Sequence, residues 1–139
     1  MKIVKRIAHV CIQSADLARA ERFYCTALGF DKRFIFKRGD KCIGFYLAIG
    51  DSNFIEIFEA PPAPYTPSHI RHFCFEVADI RATHEHLKRH GIQADEPKLG
   101  CDNTWQVWCK DPDGIDIEFH AYTAESCQKT GGVCVATWA

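Results

Sequence analysis

Two histidines and two glutamates recur in this chain at matching places, and they are donor types that bind a divalent metal. Residues 8–17 read Ala-His-Val-Cys-Ile-Gln-Ser-Ala-Asp-Leu, and residues 71–80 read Arg-His-Phe-Cys-Phe-Glu-Val-Ala-Asp-Ile. Set one on the other, His9 falls on His72, Cys11 on Cys74, Gln13 on Glu76 and Asp16 on Asp79. The echo continues downstream, where Leu28-Gly29-Phe30 matches His90-Gly91-Ile92 and Ile55-Glu56-Ile57 matches Ile117-Glu118-Phe119. One unit of about sixty residues is used twice, each copy carrying a His near its start and a Glu near its end. Two imidazoles and two carboxylates suit Zn, Ni, Co, Mn or Fe. An octahedral ion with four such ligands keeps two adjacent positions for water or for two neighbouring oxygens of a substrate.

The elements that position these residues follow from periodicity and turn chemistry. Residues 6–13 alternate as a strand, with Ala8, Val10 and Ile12 on one face and Ile7, His9, Cys11 and Gln13 on the other. Ser14 or Asp16 caps a helix whose Leu17, Ala20, Phe23, Tyr24 and Leu28 recur at helical spacing, and Gly29 stops it. Strands are expected near 30–36, 42–49 and 53–59, joined through Gly39-Asp40 and Gly50-Asp51. Four of the six prolines are concentrated in 60–69, which reads as a linker between copies. The second copy repeats the order: a strand at 70–77, then a helix from Asp79 to Gly91 turning Ile80, Thr83 and Leu87 inward. Strands at 92–96, 104–110 and 115–120 follow, the last two joined by the turn Asp111-Pro112-Asp113-Gly114.

The fold class is therefore α+β, with two tandem βαβββ modules at about 3–59 and 70–122 and a tail at 123–139 ending near Trp138. All 139 residues read as a single domain. Val10, Ile12, Ile55, Ile57, Phe73, Phe75, Val77, Ile115, Ile117 and Phe119 make an apolar side for the helices. The opposite side carries His9, Cys11, Gln13, Phe54, Glu56, Phe58, His72, Cys74, Glu76, Asp116, Glu118 and His120. A mixed sheet that curls away from its helices turns that second face into a cup lined by metal-type side chains on rigid strands. His84, His86 and His90 are expected on the solvated side of the second helix. Trp105 and Trp108 point to opposite faces, so only one can line the cup.

Composition excludes some functions. Seventeen Lys and Arg stand against eighteen Asp and Glu, a net charge of −1, so there is no basic footprint for nucleic acid or an anionic membrane. No signal-like segment and no membrane-length apolar run is present, and a cytoplasmic protein is expected. The eight cysteines show no C-x-x-C spacing, and most fall in strand-like or helix-like runs, so they read as free thiols.

The twin modules, the strand openings Ile-Ala-His9-Val and Ile-Arg-His72-Phe, the Phe-Ile-Glu56-Ile strand and the ending Asp-Pro-Asp-Gly-Ile-Asp-Ile-Glu118 resemble the vicinal oxygen chelate superfamily, or glyoxalase fold. The resemblance spans about residues 3–122 and is strongest to the bacterial glyoxalase I type. It implies one divalent ion per site held by His9, Glu56, His72 and Glu118, with Glu118 or Glu56 serving as the proton-shuttling base. A metal-dependent lyase or isomerase acting on a small vicinal-oxygen carbonyl compound is the expected activity, with Cys11, Gln13, Phe58, Cys74 and His120 facing the substrate. Related folds usually pair two chains, so a homodimer is expected. Gln13 and Ala60 stand where glutathione-using relatives carry a basic residue and an Asn, which argues against a glutathione adduct as substrate. An Fe(II) extradiol-type dioxygenase, a metal-dependent thiol transferase and a drug-sequestering binding protein are the alternatives within the same resemblance. Glu56 counts against the dioxygenase, whose site needs only three protein ligands.

Overall fold

The computed structural model describes residues 6–66 and 69–136. The chain divides into two compact units, Met1–Tyr65 and Thr66–Ala139. The first contains β1 (His9–Ser14), α1 (Leu17–Glu21), β2 (Asp31–Arg38), β3 (Lys41–Ile49) and β4 (Asn53–Glu59). In the second lie β5 (His72–Glu76), α2 (Ile80–Arg89), β6 (Lys98–Leu99), β7 (Thr104–Lys110), β8 (Asp116–Tyr122) and α3 (Cys127–Thr130). Each unit builds a four-stranded sheet of one topology, in the orders β1-β4-β3-β2 and β5-β8-β7-β6. The first strand runs parallel to the last, and the other pairs are antiparallel. The α+β class and the tandem βαβββ modules are as expected.

In the first unit, Asp16 caps α1 by accepting a hydrogen bond from the Arg19 amide at 2.9 Å. The helix then widens into a π-helical stretch at Arg22–Ala27, closed by the Leu28 amide on the Phe23 carbonyl. Phe23, Tyr24 and Ala27 are all buried there, and Gly29 ends the segment at a φ of 76° that favours glycine. Leu47, Ile55 and Ile57 are fully buried in β3 and β4. Each such side chain contributes about 1.5–3 kcal/mol. Strand β1 begins at His9 rather than residue 6, because its parallel partner offers its first rung at Phe54, whose amide already bonds the Ala8 carbonyl.

In the second unit, Asp79 caps α2 by accepting from the Arg81 and Ala82 amides. His84 departs from the sequence expectation: it is only 4% exposed, on the stripe with Ile80 and Leu87, both also buried. Its place four residues after Ile80 and three before Leu87 sets it on the inner face. Its Nε2 and Nδ1 lie 3.8 and 3.9 Å from carboxylate oxygens of Glu96 and Glu85. The strand expected at 92–96 is also absent. Ala94 makes one isolated bridge to Cys109, and the edge strand lies instead at Lys98–Leu99. The Asp95 amide still bonds the Trp108 carbonyl, and Pro97, with no amide to donate, interrupts the pairing before Lys98.

The tail has structure that its composition conceals. The Cys127 amide bonds the Asp102 carbonyl, and the Thr123 and Ser126 hydroxyls both donate to the Asn103 carbonyl. Asn103 adopts a φ of 60°, a conformation asparagine tolerates better than most residues. The Asp102 carboxylate accepts from the Thr104 amide and hydroxyl and, through its other oxygen, from Gln128. Trp138 lies outside the described residues.

Two outcomes follow. A Cβ at Gly44 would stand 2.4 Å from the Ile57 carbonyl oxygen and 2.7 Å from the Phe58 ring. Gly44→Ala is therefore expected to cost about 1–3 kcal/mol, read as a lower urea midpoint. Partial burial acts to raise the Asp102 carboxyl, but hydrogen bonds from Thr104 and Gln128 outweigh it and hold the group below its usual value. A depressed carboxyl stabilises the fold above its unfolded value near pH 4 and loses that contribution as pH falls through the folded value. Asp102→Asn should lower stability at neutral pH and flatten the acid limb of a denaturation series below about pH 4.

Candidate metal centre

Each unit sets a His on its first strand beside a Glu on its last. In the first, the parallel pairing of β1 with β4 places Cys11 opposite Glu56 and His9 opposite Phe54. His9 Nε2 lies 3.7 Å from Glu56 Oε2. Tyr46 of β3 sits across from Glu56, and its hydroxyl is 3.3 Å from His9 Nδ1. In the second unit, Cys74 is opposite Glu118 and His72 opposite Asp116. His72 Nε2 lies 3.3 Å from Glu118 Oε2, and Trp108, across from Glu118 on β7, meets the His72 ring edge-on at 4.7 Å. Strand pairing thus reproduces the His–Glu pair and its aromatic neighbour in both units.

Glu118 is the more enclosed carboxylate, its side chain 8% exposed against 20% for Glu56. Its second oxygen, Oε1, faces His120 Nε2 at 2.8 Å. That buried nitrogen has no hydrogen-bond partner, so the two atoms meet at hydrogen-bonding distance without hydrogen-bonding geometry. One donor atom each from Cys74, Glu118 and His120 lies within 4.8 Å of the others. A carboxylate, an imidazole with a free buried nitrogen, and a thiol suit a divalent cation, and the second imidazole, His72, borders the same carboxylate. Burial, followed by the nearby Glu118 charge, pushes the Cys74 thiol up to about 12. Cys11 is raised in the same way, by burial and then by its hydrogen bond to Glu56. Both thiols are thus neutral beside a carboxylate.

Of the other side chains expected to face a substrate, Gln13 and Phe58 occupy one rung of β1–β4, two along from the Cys11–Glu56 rung and so on the same face of the sheet. Phe58 belongs to an aromatic row: its ring packs tilted against Phe36, Phe36 meets Phe34, and Phe34 stacks on Tyr46, which contacts Phe54. His86 of α2 and His90, just past its end, are paired ring to ring at 4.6 Å. Trp105 lies on the helix side, under the Arg81 guanidinium, which leaves Trp108 as the site tryptophan. Tyr46 escaped sequence reasoning, although a signal was there: Tyr46 and Trp108 are 62 residues apart, as are Glu56 and Glu118.

Residues 6–119 match the family model described as the Glyoxalase/Bleomycin resistance protein/Dioxygenase superfamily. The chain belongs to this superfamily. It is 28% identical over 124 residues to the uncharacterised protein YaeR of Escherichia coli (strain K12), covering 84% of this chain and 96% of YaeR. A glyoxalase family protein from Enterococcus faecalis is 28% identical, with a TM-score of 0.75 over 86% of this chain and 99% of that one. Lactoylglutathione lyase from Agrobacterium tumefaciens shares the fold, with a TM-score of 0.68 over 95% of this chain and all of that one, at 17% identity. The superfamily's own description covers glyoxalases, resistance proteins and dioxygenases, so membership establishes fold and ancestry without choosing a reaction. Among the described residues no helix is long and apolar enough to cross a membrane.

A thiol held near 12 is ionised in only about one molecule in ten thousand at pH 8. In chelator-treated protein, Cys74 should alkylate on the order of a thousandfold more slowly than an unperturbed thiol, measured by peptide mass spectrometry. Glu118→Gln removes one of the causes and should accelerate labelling, without restoring the unperturbed rate because burial remains.

Proposed function

We propose that this superfamily member is a metal-dependent lyase or isomerase of the glyoxalase type, with His9, Glu56, His72 and Glu118 as its metal ligands. The observation that supports it most is the recurrence, on equivalent strands of both units, of a His beside a Glu with an aromatic side chain against the imidazole. A structural role for one such pair would not require its repetition in the other unit. A divalent ion of the Ni, Zn, Co, Mn or Fe class supplies, when bound, Lewis acidity toward two neighbouring substrate oxygens.

The chain's own residues do the rest. Glu118 is the proton-transfer base: its carboxylate is enclosed, and its oxygens face His72 on one side and His120 on the other. A carboxylate bordered in this way keeps its orientation while it takes a proton from the carbon next to a carbonyl and returns it to the neighbouring carbon. Glu56, more exposed, is the ligand of the other pair and the second candidate base. The row formed by Phe34, Phe36, Tyr46, Phe54 and Phe58 offers an apolar surface on the sheet that bears His9 and Glu56. It favours a substrate with an apolar substituent, and Gln13 and Ala60 favour one without glutathione's carboxylates. The working form is a homodimer, in keeping with the resemblance.

The test is solvent-proton exchange. Metal-reconstituted protein incubated in deuterated buffer with hemithioacetals, 2-oxo acids and acyl thioesters should place deuterium next to the carbonyl of one class. Glu118→Gln should slow that exchange by about 10²–10⁴-fold, and chelation should abolish it until metal is restored. Absence of exchange with every class, alongside tight binding of a small apolar compound, would replace the enzyme by a binding protein.

A further inference from the structure

Two cysteines far apart in sequence meet at the tail. Cys101 Sγ and Cys134 Sγ lie 3.1 Å apart, closer than two unbonded sulfurs normally rest and farther than a disulfide bond. Cys101 lies in a loop that is tied to the tail, and Cys134 lies where the chain turns back toward that loop. Cys101 precedes Asp102 and Asn103, which bind the tail through the Cys127 amide, the Gln128 amide group and the Thr123 and Ser126 hydroxyls. Cys134 follows Gly131 and Gly132, whose φ values of 71° and 94° turn the chain back after α3. Cys134 is exposed and Cys101 half-buried, so a small oxidant can reach them.

We propose that Cys101 and Cys134 are a disulfide-forming pair that pins the C-terminal segment to the loop at 100–103. The oxidant is a low-molecular-weight disulfide such as oxidised glutathione. One protein thiolate attacks the S–S bond and expels a glutathione thiolate, which takes up a proton. The second protein thiol gives its proton to solvent and attacks the mixed disulfide, releasing the other glutathione. Two electrons pass from the protein sulfurs to the reagent, and the S–S bond moves into the chain. The pinned loop borders the site: Asp102 also contacts Gln106, which pairs across the sheet with His120. The expectation that all eight cysteines act only as free thiols is refined for this one pair.

The experiment treats the full-length reduced protein with oxidised glutathione and reads intact mass and non-reduced peptide maps. The expected product has lost two hydrogens and contains a peptide linking Cys101 to Cys134. Cys101→Ser and Cys134→Ser should each abolish the link, leaving at most a glutathione adduct, whereas Cys127→Ser and Cys42→Ser should retain it. The hydrogen bond with Cys101 pushes Cys134 up to about 11, so the rate of linkage should rise by up to about tenfold per pH unit between pH 7 and 9. Linkage through Cys127, adducts without linkage, or no reaction under conditions that oxidise a reference dithiol would each overturn the proposal.

Discussion

The parallel pairing of the first strand of each unit with its last is the constraint on which the rest depends. β1 with β4, and β5 with β8, bring together residues separated by more than forty positions in sequence. Such non-local pairs cost chain entropy, and the apolar faces of the same strands offset it: Ile55, Ile57, Ile117 and Phe119 are buried on the helix side while Glu56 and Glu118 project to the other. A shift of one residue would exchange the two faces, carrying the glutamates into the core and the isoleucines out of it. The hydrophobic core therefore fixes the register, and the register fixes the donor atoms.

That arrangement also sets the electrostatics. Glu118 is almost fully enclosed among His72, His120 and Cys74, an environment costly for an uncompensated carboxylate. The unpartnered His120 nitrogen is a second cost at the same place. A bound cation would relieve the first of these costs, since it supplies positive charge to the carboxylate. Glu56 is more open and has one imidazole beside it, so the two halves of the repeat share a plan but differ in enclosure.

Much of this was legible because the repeat supplies an internal comparison. His9 with His72, and Glu56 with Glu118, stand out when the copies are superposed, and alternation around them gives the faces correctly. The caps at Asp16 and Asp79 and the glycines at 29 and 91 mark the helices through local backbone chemistry. The losses came where tertiary contacts override local pattern. His84 reads as polar yet fills a core position, and the segment at 92–96 opens with Ile92 but ends in Asp95-Glu96 and runs straight into Pro97. Tyr46 carries no metal-type donor, so its place beside His9 shows only once β3 is aligned with β7. The tail was opaque because its order comes from hydrogen bonds to Asp102 and Asn103, which no periodicity reveals.

A His–Glu pair from each unit is proposed to contribute to metal binding. The most direct measurement is metal content per chain, by elemental analysis, for the wild type and for His9→Ala and His72→Ala, each checked for folding by circular dichroism. One ion per chain that is lost in both folded variants is the expected result. An ion retained in His9→Ala but lost in His72→Ala would confine the site to the second unit, around Cys74, Glu118 and His120, and contradict the four-ligand set. No ion in any form after reconstitution would contradict metal binding altogether.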